Sequence, residues 1–227
     1  MPPGRGGQQR IPRPGDAEAG GPPPWSHLEP AQRTFTSGDL RAALSGREPG
    51  EIWTGAPSPQ RTSAVLVPLY AADDGLRVVL TRRSEGLRTH SGEVSFPGGR
   101  QDDGETLWET ALREAHEEVG LDPAAACPIG QLDRLRTVSS GSAIVPFVAV
   151  IPGGRPDLAP NPHEVDEILH VPVDELLLDE AWREELWQFP DDESMRRAVI
   201  FFELIGDTVW GATANMLRQL LSIGLGL

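Results

Sequence analysis

Hydrophobic and polar residues along this chain fall into short blocks with two periods, and after residue 62 the blocks of each kind are interspersed. Residues 63–71 form an apolar run that ends in the turn signal Asp73-Asp74-Gly75, and residues 76–81 form a second run. Two such runs joined by a tight polar turn predict a β-hairpin. Further strand-length runs occupy residues 94–96, 129–137, 143–151, 167–171 and 197–204. Helical spacing is strongest over residues 106–119 and 213–223, with shorter patterns at 37–44, 173–178 and 180–187. Strands and helices in this mixed order predict an α/β fold rather than a repeat array.

Composition divides the chain into three parts. Residues 1–30 hold eight prolines and six glycines, too little apolar surface to bury, and predict a disordered arm. Deleting this arm is expected to leave activity intact. Residues 31–61 read as a short helix and a linker, and residues 62–223 as one domain; the 38% of apolar residues in the whole chain suffices to close a single core. No apolar run approaches the roughly 18 to 20 residues of a transmembrane helix, and the N-terminus shows no apolar signal-peptide core. With one cysteine, Cys127, the chain forms no intrachain disulfide, and a reducing cytoplasm is the expected setting. Cys127 itself is expected to be a small buried residue. Residues Trp210, Thr213, Ala214, Leu217, Leu220 and Leu221 predict a C-terminal core helix, and Trp182 and Trp187 are expected to pack in the core rather than stack on an adenine.

Charge changes the picture in two steps. The formal charge is −14, and all 20 basic residues are arginine. The absence of lysine removes Schiff-base chemistry, pyridoxal phosphate attachment and the phosphate-loop lysine of nucleoside triphosphatases. The acidity argues against nucleic acid as a partner, because phosphate neutralisation needs a basic surface. The negative charge is concentrated in two islands: residues 102–122 carry −7 and residues 174–193 carry −8, so the rest of the chain is close to neutral. The second island interleaves acids with leucines and tryptophans and reads as a solvated helical face. The first island sits directly after an arginine-rich stretch, residues 77–100, of net charge +3.

On a helix, Glu114, Glu117 and Glu118 of the first island fall within an arc of about 100°, beside a buried stripe containing Leu107, Ala111, Ala115 and Val119. Like charges so spaced destabilise an isolated helix by a few tenths of a kcal/mol per pair, which solvation or a divalent cation would relieve. Hard carboxylate oxygens with no cysteine or histidine pair favour Mg²⁺ or Mn²⁺ over zinc. Such ions keep several waters and bind substrate phosphates, so the donor set suggests phosphate-ester or phosphoanhydride chemistry. Pro97-Gly98-Gly99 before the helix allows close backbone approach, and Gly120 ends the helix. Arg113 and Glu105 are placed to form an ion pair bracing loop to helix.

The spacing is specific. Gly99, Glu105, Arg113, Glu114, Glu117, Glu118 and Gly120 resemble the Nudix box, Gly-x5-Glu-x7-Arg-Glu-U-x-Glu-Glu-x-Gly-U with U aliphatic, over residues 99–121. Seven chance matches at residue frequencies near 7% have a probability on the order of 10⁻⁸. Ala115 is small where a bulkier aliphatic residue is usual. The resemblance implies a Nudix hydrolase, an α/β/α sandwich around a mixed β-sheet that cleaves a nucleoside diphosphate linked to another moiety. It further implies Glu114 and Glu118 as principal metal ligands, Glu117 as a further ligand or water-positioning group, and the Gly99 carbonyl as an additional ligand. Arg113 and Glu105 would be structural. In such an enzyme the metals neutralise diphosphate oxygens and lower the pKa of a bound water that attacks phosphorus; which glutamate takes the proton stays open.

Residues 80–99, from Leu80-Thr81-Arg82-Arg83-Ser84 through Leu87-Arg88-Thr89-His90 to Phe96-Pro97-Gly98-Gly99, are similar to the extended signature of the coenzyme A diphosphatase branch. Similarity continues at Pro146-Phe147-Val148, Asn161-Pro162-His163-Glu164-Val165 and Val209-Trp210-Gly211-Ala212-Thr213-Ala214, so it spans residues 63–221 and excludes the arm. Guanidinium groups hold phosphates bidentately, which makes Arg82, Arg83 and Arg88 candidates for substrate binding against the alternative of ordinary surface charge. His90 joins that set, as a loop-ordering hydrogen bonder rather than a metal ligand. Glu164 is the candidate outside the box for a general base or extra ligand, against the plainer reading of a loop carboxylate. Coenzyme A or its thioesters is the first substrate reading; ADP-ribose, NADH or a dinucleoside polyphosphate is the second; a non-catalytic nucleotide-sensing module is the third. The implied partner is this small-molecule substrate, with neither nucleic acid nor membrane, and pairing into a homodimer is left open.

Overall fold

A computed structural model of the chain describes residues 4–52, 61–86, 91–136, 142–189 and 192–227. The first elements are β1 (Glu18–Ala19), α1 (Ser37–Leu44) and β2 (Glu51–Ile52), followed by β3 (Arg61–Ala72), β4 (Gly75–Arg83), β5 (Val94–Ser95) and β6 (Gly98–Arg100). Helix α2 (Leu107–Val119) precedes β7 (Cys127–Gln131), β8 (Arg134–Arg136), β9 (Ser142–Val150) and β10 (Val165–Pro172). The chain ends with α3 (Val173–Leu176), β11 (Trp182–Phe189), β12 (Asp192–Glu203), β13 (Thr208–Trp210) and α4 (Gly211–Leu225). The 63–81 hairpin expected from the turn signal is β3–β4, paired antiparallel from Leu69↔Val78 to Ala72↔Gly75.

The main sheet runs β10-β4-β3-β9-β8-β2, with β5 on β4, β6 on β3 and β7 on β9. Strand β3 pairs parallel with β9 and antiparallel with β4 and β6, so the sheet is mixed as expected. Both faces of β3 are covered, which is why it reads as a continuous apolar run. Ala64, Leu66 and Tyr70 point to one face, where α2 contributes Ala111, Ala115 and Val119. Val65, Val67 and Leu69 point to the other, against Leu40 and Leu44 of α1 and Leu217, Leu220 and Leu221 of α4. The α/β/α layering therefore holds, and α4 is the core helix that its stripe predicted. None of the helices among the described residues is long and apolar enough to cross a membrane.

A second sheet, β1-β11-β12-β13, is antiparallel throughout. It corrects two expectations. Residues 180–187, read as helical, are a 3₁₀ turn (Asp179–Ala181) and strand β11. Cross-strand pairing with β12, from Trp182↔Phe202 to Gln188↔Arg196, outweighs a weak helical spacing that also fits period two. The acids of this island are consequently not a uniformly solvated face. Glu185 is buried and accepts hydrogen bonds from Arg13 Nε (2.8 and 2.9 Å) and Trp187 Nε1 (2.7 Å), and also pairs with Arg183. Trp182 and Trp187 are themselves buried, as expected.

The other correction concerns residues 1–30. From Gly4 onward these residues are not a free arm but lie on the second sheet: Glu18 and Ala19 pair with Leu186 and Glu185, and Arg5 bridges Ile205. Trp25 is completely buried between Trp182 (ring centroids 5.6 Å, edge-on) and Phe202 (6.4 Å, stacked), and its Nε1 donates to the Leu177 carbonyl at 3.0 Å. One large aromatic residue and a handful of arginine pairs anchor a segment whose average composition contains little else to bury. Cys127 also departs from expectation: it is exposed at the start of β7. Replacing Trp25 by Ala should lower stability by roughly 3–5 kcal/mol, the usual cost of truncating a buried tryptophan. Urea unfolding checks this, and a change within 0.5 kcal/mol (about the scale of a neutral surface substitution) would mean that the arm is not packed.

Candidate active site

The site is built where α2 crosses the end of β6. Thr106 caps α2 through a reciprocal box: its Oγ1 accepts from Glu109 N at 3.3 Å, and Thr106 N donates to Glu109 Oε2 at 2.8 Å. Gly120, at φ +68°, closes the helix in the left-handed conformation. These two ends fix the rotation of α2, so that Ala111, Ala115 and Val119 face the sheet while Glu114 and Glu118 lean over Gly98 and Gly99. Gly99 is the tightest point. A Cβ there would lie 2.4 Å from Glu114 Cδ and 2.5 Å from both of its oxygens, so only glycine lets the carboxylate rest against the β6 backbone.

Three glutamates on one stripe occupy three different environments. Glu118 is 2% exposed, accepts from Gly98 N at 3.3 Å and faces Arg83 Nη1 at 3.5 Å. Burial, against the opposing pull of Arg83, pushes its pKa up to about 7, and the nearby Glu114 and Glu164 add to the rise. Glu114 is largely buried, and burial likewise raises its pKa although Arg113 Nη1 donates to it at 2.9 Å. Glu117 is half exposed and takes a hydrogen bond from the same Arg113 Nη1 at 3.1 Å. Arg113 also forms the fork expected with Glu105, its Nε and Nη2 donating to Oε1 (2.7 Å) and Oε2 (3.2 Å). With Thr110 Oγ1 donating as well, the Arg113 pair holds the Glu105 carboxyl down at about 2. Arg113 thus ties the loop after β6 to the helix and spreads its remaining donors over two of the three acids.

The candidates outside the box separate into three groups. Glu164 stands near the buried carboxylates: its charge is felt by both Glu114 and Glu118. It is carried there by a loop docked on the end of α2, where Asn161 N donates to Glu118 O (2.8 Å) and Ala159 N to Val119 O (3.0 Å). Arg83 joins them from the end of β4, and its buried Nε has no acceptor among the described residues. Arg82 points elsewhere. Its Nη1 donates to both oxygens of the buried Asp207 at 3.0 Å, and its other nitrogens pair with Asp166 and Glu167. This guanidinium is saturated by carboxylates, so it braces the main sheet to the second sheet rather than standing free for a phosphate. Arg88 and His90 lie outside the described residues.

A polar cavity of about 620 Å³, within the ordinary range for a small-molecule site, opens beside Arg83 and is walled in part by Arg82, Glu85, Ser91 and Asp166. Among the described residues no group of three histidine, cysteine or carboxylate side chains stands ready as a cation cage. Arg113 engages Glu114 and Glu117, and Arg83 engages Glu118. The donor chemistry nevertheless fits a hard divalent cation, because one buried and one partly buried carboxylate, both with raised pKa, are short of positive charge and all the oxygens are of the type such ions prefer.

A model of the NUDIX domain matches residues 60–192, more than half of the chain, and that stretch contains β6, α2 and the carboxylates. The chain belongs to the Nudix family. It is 38% identical over 168 residues to Nudix hydrolase 22, chloroplastic, of Arabidopsis thaliana, covering 69% of this chain and 53% of that protein. It is 35% identical over 171 residues to a NudL protein of Photorhabdus laumondii, named an uncharacterized Nudix hydrolase, covering 72% of this chain and 88% of that one. Against the plant relatives the Nudix chain spans little more than half their length, 53% and 59%. Among solved structures it resembles a Nudix hydrolase of M. smegmatis, RenU, with a TM-score of 0.45 and 21% identity over 52% of this chain and 74% of that one.

The Nudix site yields two tests. Gly99→Ala should fold but displace Glu114, and its crystal structure would show the carboxylate pushed away from β6; an unmoved Glu114 would contradict the close packing. In metal-free protein, folded Glu118 keeps its proton up to about pH 7, whereas the unfolded chain releases it near its ordinary value of 4.5. Stability from this group is therefore present below pH 4.5 and is lost as pH rises through about 7. Glu118→Gln should gain on the wild type between pH 5 and pH 8, by roughly 3 kcal/mol at most, in urea unfolding with a chelator present. A gap independent of pH would show that Glu118 titrates normally.

Proposed function

We propose that the chain is a Mg²⁺- or Mn²⁺-dependent diphosphatase that splits coenzyme A or its thioesters into adenosine 3′,5′-bisphosphate and 4′-phosphopantetheine or its acyl form. The observation that carries the hydrolase reading is the partly buried Glu114 and the buried Glu118 set against Gly98 and Gly99, with Glu117 and Glu164 beside them. A pure binding module has no use for two desolvated carboxylates that cost stability at neutral pH. Glu114, Glu118 and Glu117, with the Gly99 carbonyl, would hold the cation, which would supply Lewis acidity toward diphosphate oxygens and a bound water of lowered pKa. Glu117 and Glu164 are the proposed proton acceptors there. Glu117 is half exposed, and Glu164 is placed by the Asn161 loop with Ser84 N donating to its carbonyl at 2.9 Å. Arg83 is the cation placed to meet a substrate phosphate, and Arg113 and Glu105 hold the scaffold. A cytoplasmic setting belongs to the same proposal.

The coenzyme A assignment draws support from the signature over residues 80–99 and from the arginine-rich stretch that contains it. One observation favours the second substrate reading. Arg82, which that signature supplies as a cation, is spent on Asp166, Glu167 and Asp207. ADP-ribose, NADH and dinucleoside polyphosphates therefore belong in the same assay.

Purified protein and its Glu114→Gln and Glu118→Gln variants, incubated with each of these compounds and Mg²⁺ or Mn²⁺, should show metal-dependent cleavage of coenzyme A by mass spectrometry. Each substitution should cut kcat by at least about 10²-fold, the scale expected when a group acting on the transition state is lost. Turnover of ADP-ribose alone would overturn the coenzyme A assignment, no turnover at all would overturn the hydrolase reading, and unchanged rates in both variants would remove the metal-ligand roles.

A further inference from the structure

The cavity beside Arg83 has a wall that does not come from the Nudix domain. Gln8, Gln9 and Arg10 line it together with Arg82, Arg83 and Asp166, although these three residues lie some fifty positions before the matched region begins at residue 60. The segment is held there by specific bonds. Gly6 N donates to Leu204 O at 2.7 Å and Gly7 N to Thr208 Oγ1 at 3.0 Å. Gln9 then forms a two-way contact, its Nε2 donating to Asp207 Oδ1 at 2.7 Å and its Oε1 accepting from Thr208 N at 2.9 Å. Asp207 is 4% exposed and is the same carboxylate that receives both Arg82 hydrogen bonds, so one buried acid fastens the arm to the cavity wall. Farther along, Arg13 clasps Glu185.

The cations of this cavity are not equivalent. Arg82 is neutralised by three carboxylates, and Arg83 faces Glu118. Arg10 is exposed at the cavity and has neither a hydrogen bond nor an ion pair among the described residues. An exposed guanidinium with no carboxylate partner, on a segment held at a polar cavity, is suited to a phosphate, which it can meet with two parallel hydrogen bonds. We propose that this cavity, which Arg83 joins to the carboxylates at Glu118, receives the substrate, that the N-terminal segment is a working wall of it, and that Arg10 is a specificity-determining residue that binds a phosphate carried by the substrate outside its scissile anhydride. This inference rests on the diphosphatase reading above. It replaces the expectation that the arm is dispensable.

The test compares wild type, Arg10→Ala and Arg10→Lys on coenzyme A and on 3′-dephospho-coenzyme A, with kcat and KM separated. Losing a charge-assisted pair at this position should raise KM for coenzyme A about tenfold while kcat stays within about twofold. KM for the dephospho form should not move, and Arg10→Lys should recover part of the loss. Arg10 is exposed, so the variants should unfold like the wild type. The same proteins are titrated calorimetrically with adenosine 3′,5′-bisphosphate and with AMP, a readout that does not depend on turnover. Selective loss of bisphosphate affinity in Arg10→Ala supports the inference even when wild type cleaves neither coenzyme A form, a result that would sink the substrate assignment alone. Equal affinity of wild type for the two nucleotides, failure of wild type to bind the bisphosphate, or equal effects of Arg10→Ala on both coenzyme A forms would overturn it.

Discussion

Two carboxylates taken out of water at the edge of a sheet set the terms for much of this structure. Glu118 and Glu114 lie against Gly98 and Gly99, where burial opposes their charge. The fold answers with guanidinium groups and backbone donors and keeps the compensation incomplete. Arg83 stands 3.5 Å from Glu118, and Arg113 divides its donors among Glu105, Glu114 and Glu117. Full neutralisation would leave no electrostatic reason for a cation to bind, and none at all would leave two unpaired charges in the protein interior. An intermediate balance costs stability in the protein alone, which binding of the proposed cation would return.

Arginine does all of this cationic work, and its geometry lets one residue serve several partners. Arg113 joins a loop, a helix and two acids; Arg82 joins the main sheet to the second through Asp166, Glu167 and Asp207; Arg13 and Arg183 meet at Glu185. A lysine ammonium, a point charge on a flexible stem, cannot fork between partners in this way. The formal charge of −14 is thus no measure of the local field at any one of these sites.

Much of the Nudix domain was legible because its patterns are local. The 63–81 hairpin, α2 and α4 announce themselves by period and turn chemistry, and the seven box positions by spacing. The Arg113–Glu105 pair could be anticipated because both residues sit in one short segment. The second sheet was legible only in part: residues 197–204 read as a strand and overlap β12, but its partner β11 did not. Residues 180–187 carry apolar positions compatible with either period, and only pairing with β12 selects a strand. The arm misled for a related reason: proline and glycine content averages over the segment, while its order depends on Trp25 finding Trp182 and Phe202 more than 150 residues away.

The sequence by itself determined which residues form the carboxylate stripe, that glycine must precede it, and that the family is Nudix, since each of these depends on neighbours within one turn or one loop. Tertiary structure alone decided what those residues experience. Glu118 and Glu117 are adjacent in sequence, yet one is buried and the other half exposed. Arg82 and Arg83 are adjacent as well, yet one is consumed by Asp207 and its neighbours while the other faces the site. Alternation on a strand and rotation on a helix send consecutive side chains in different directions, and charge, solvation and partner are properties of where a side chain ends.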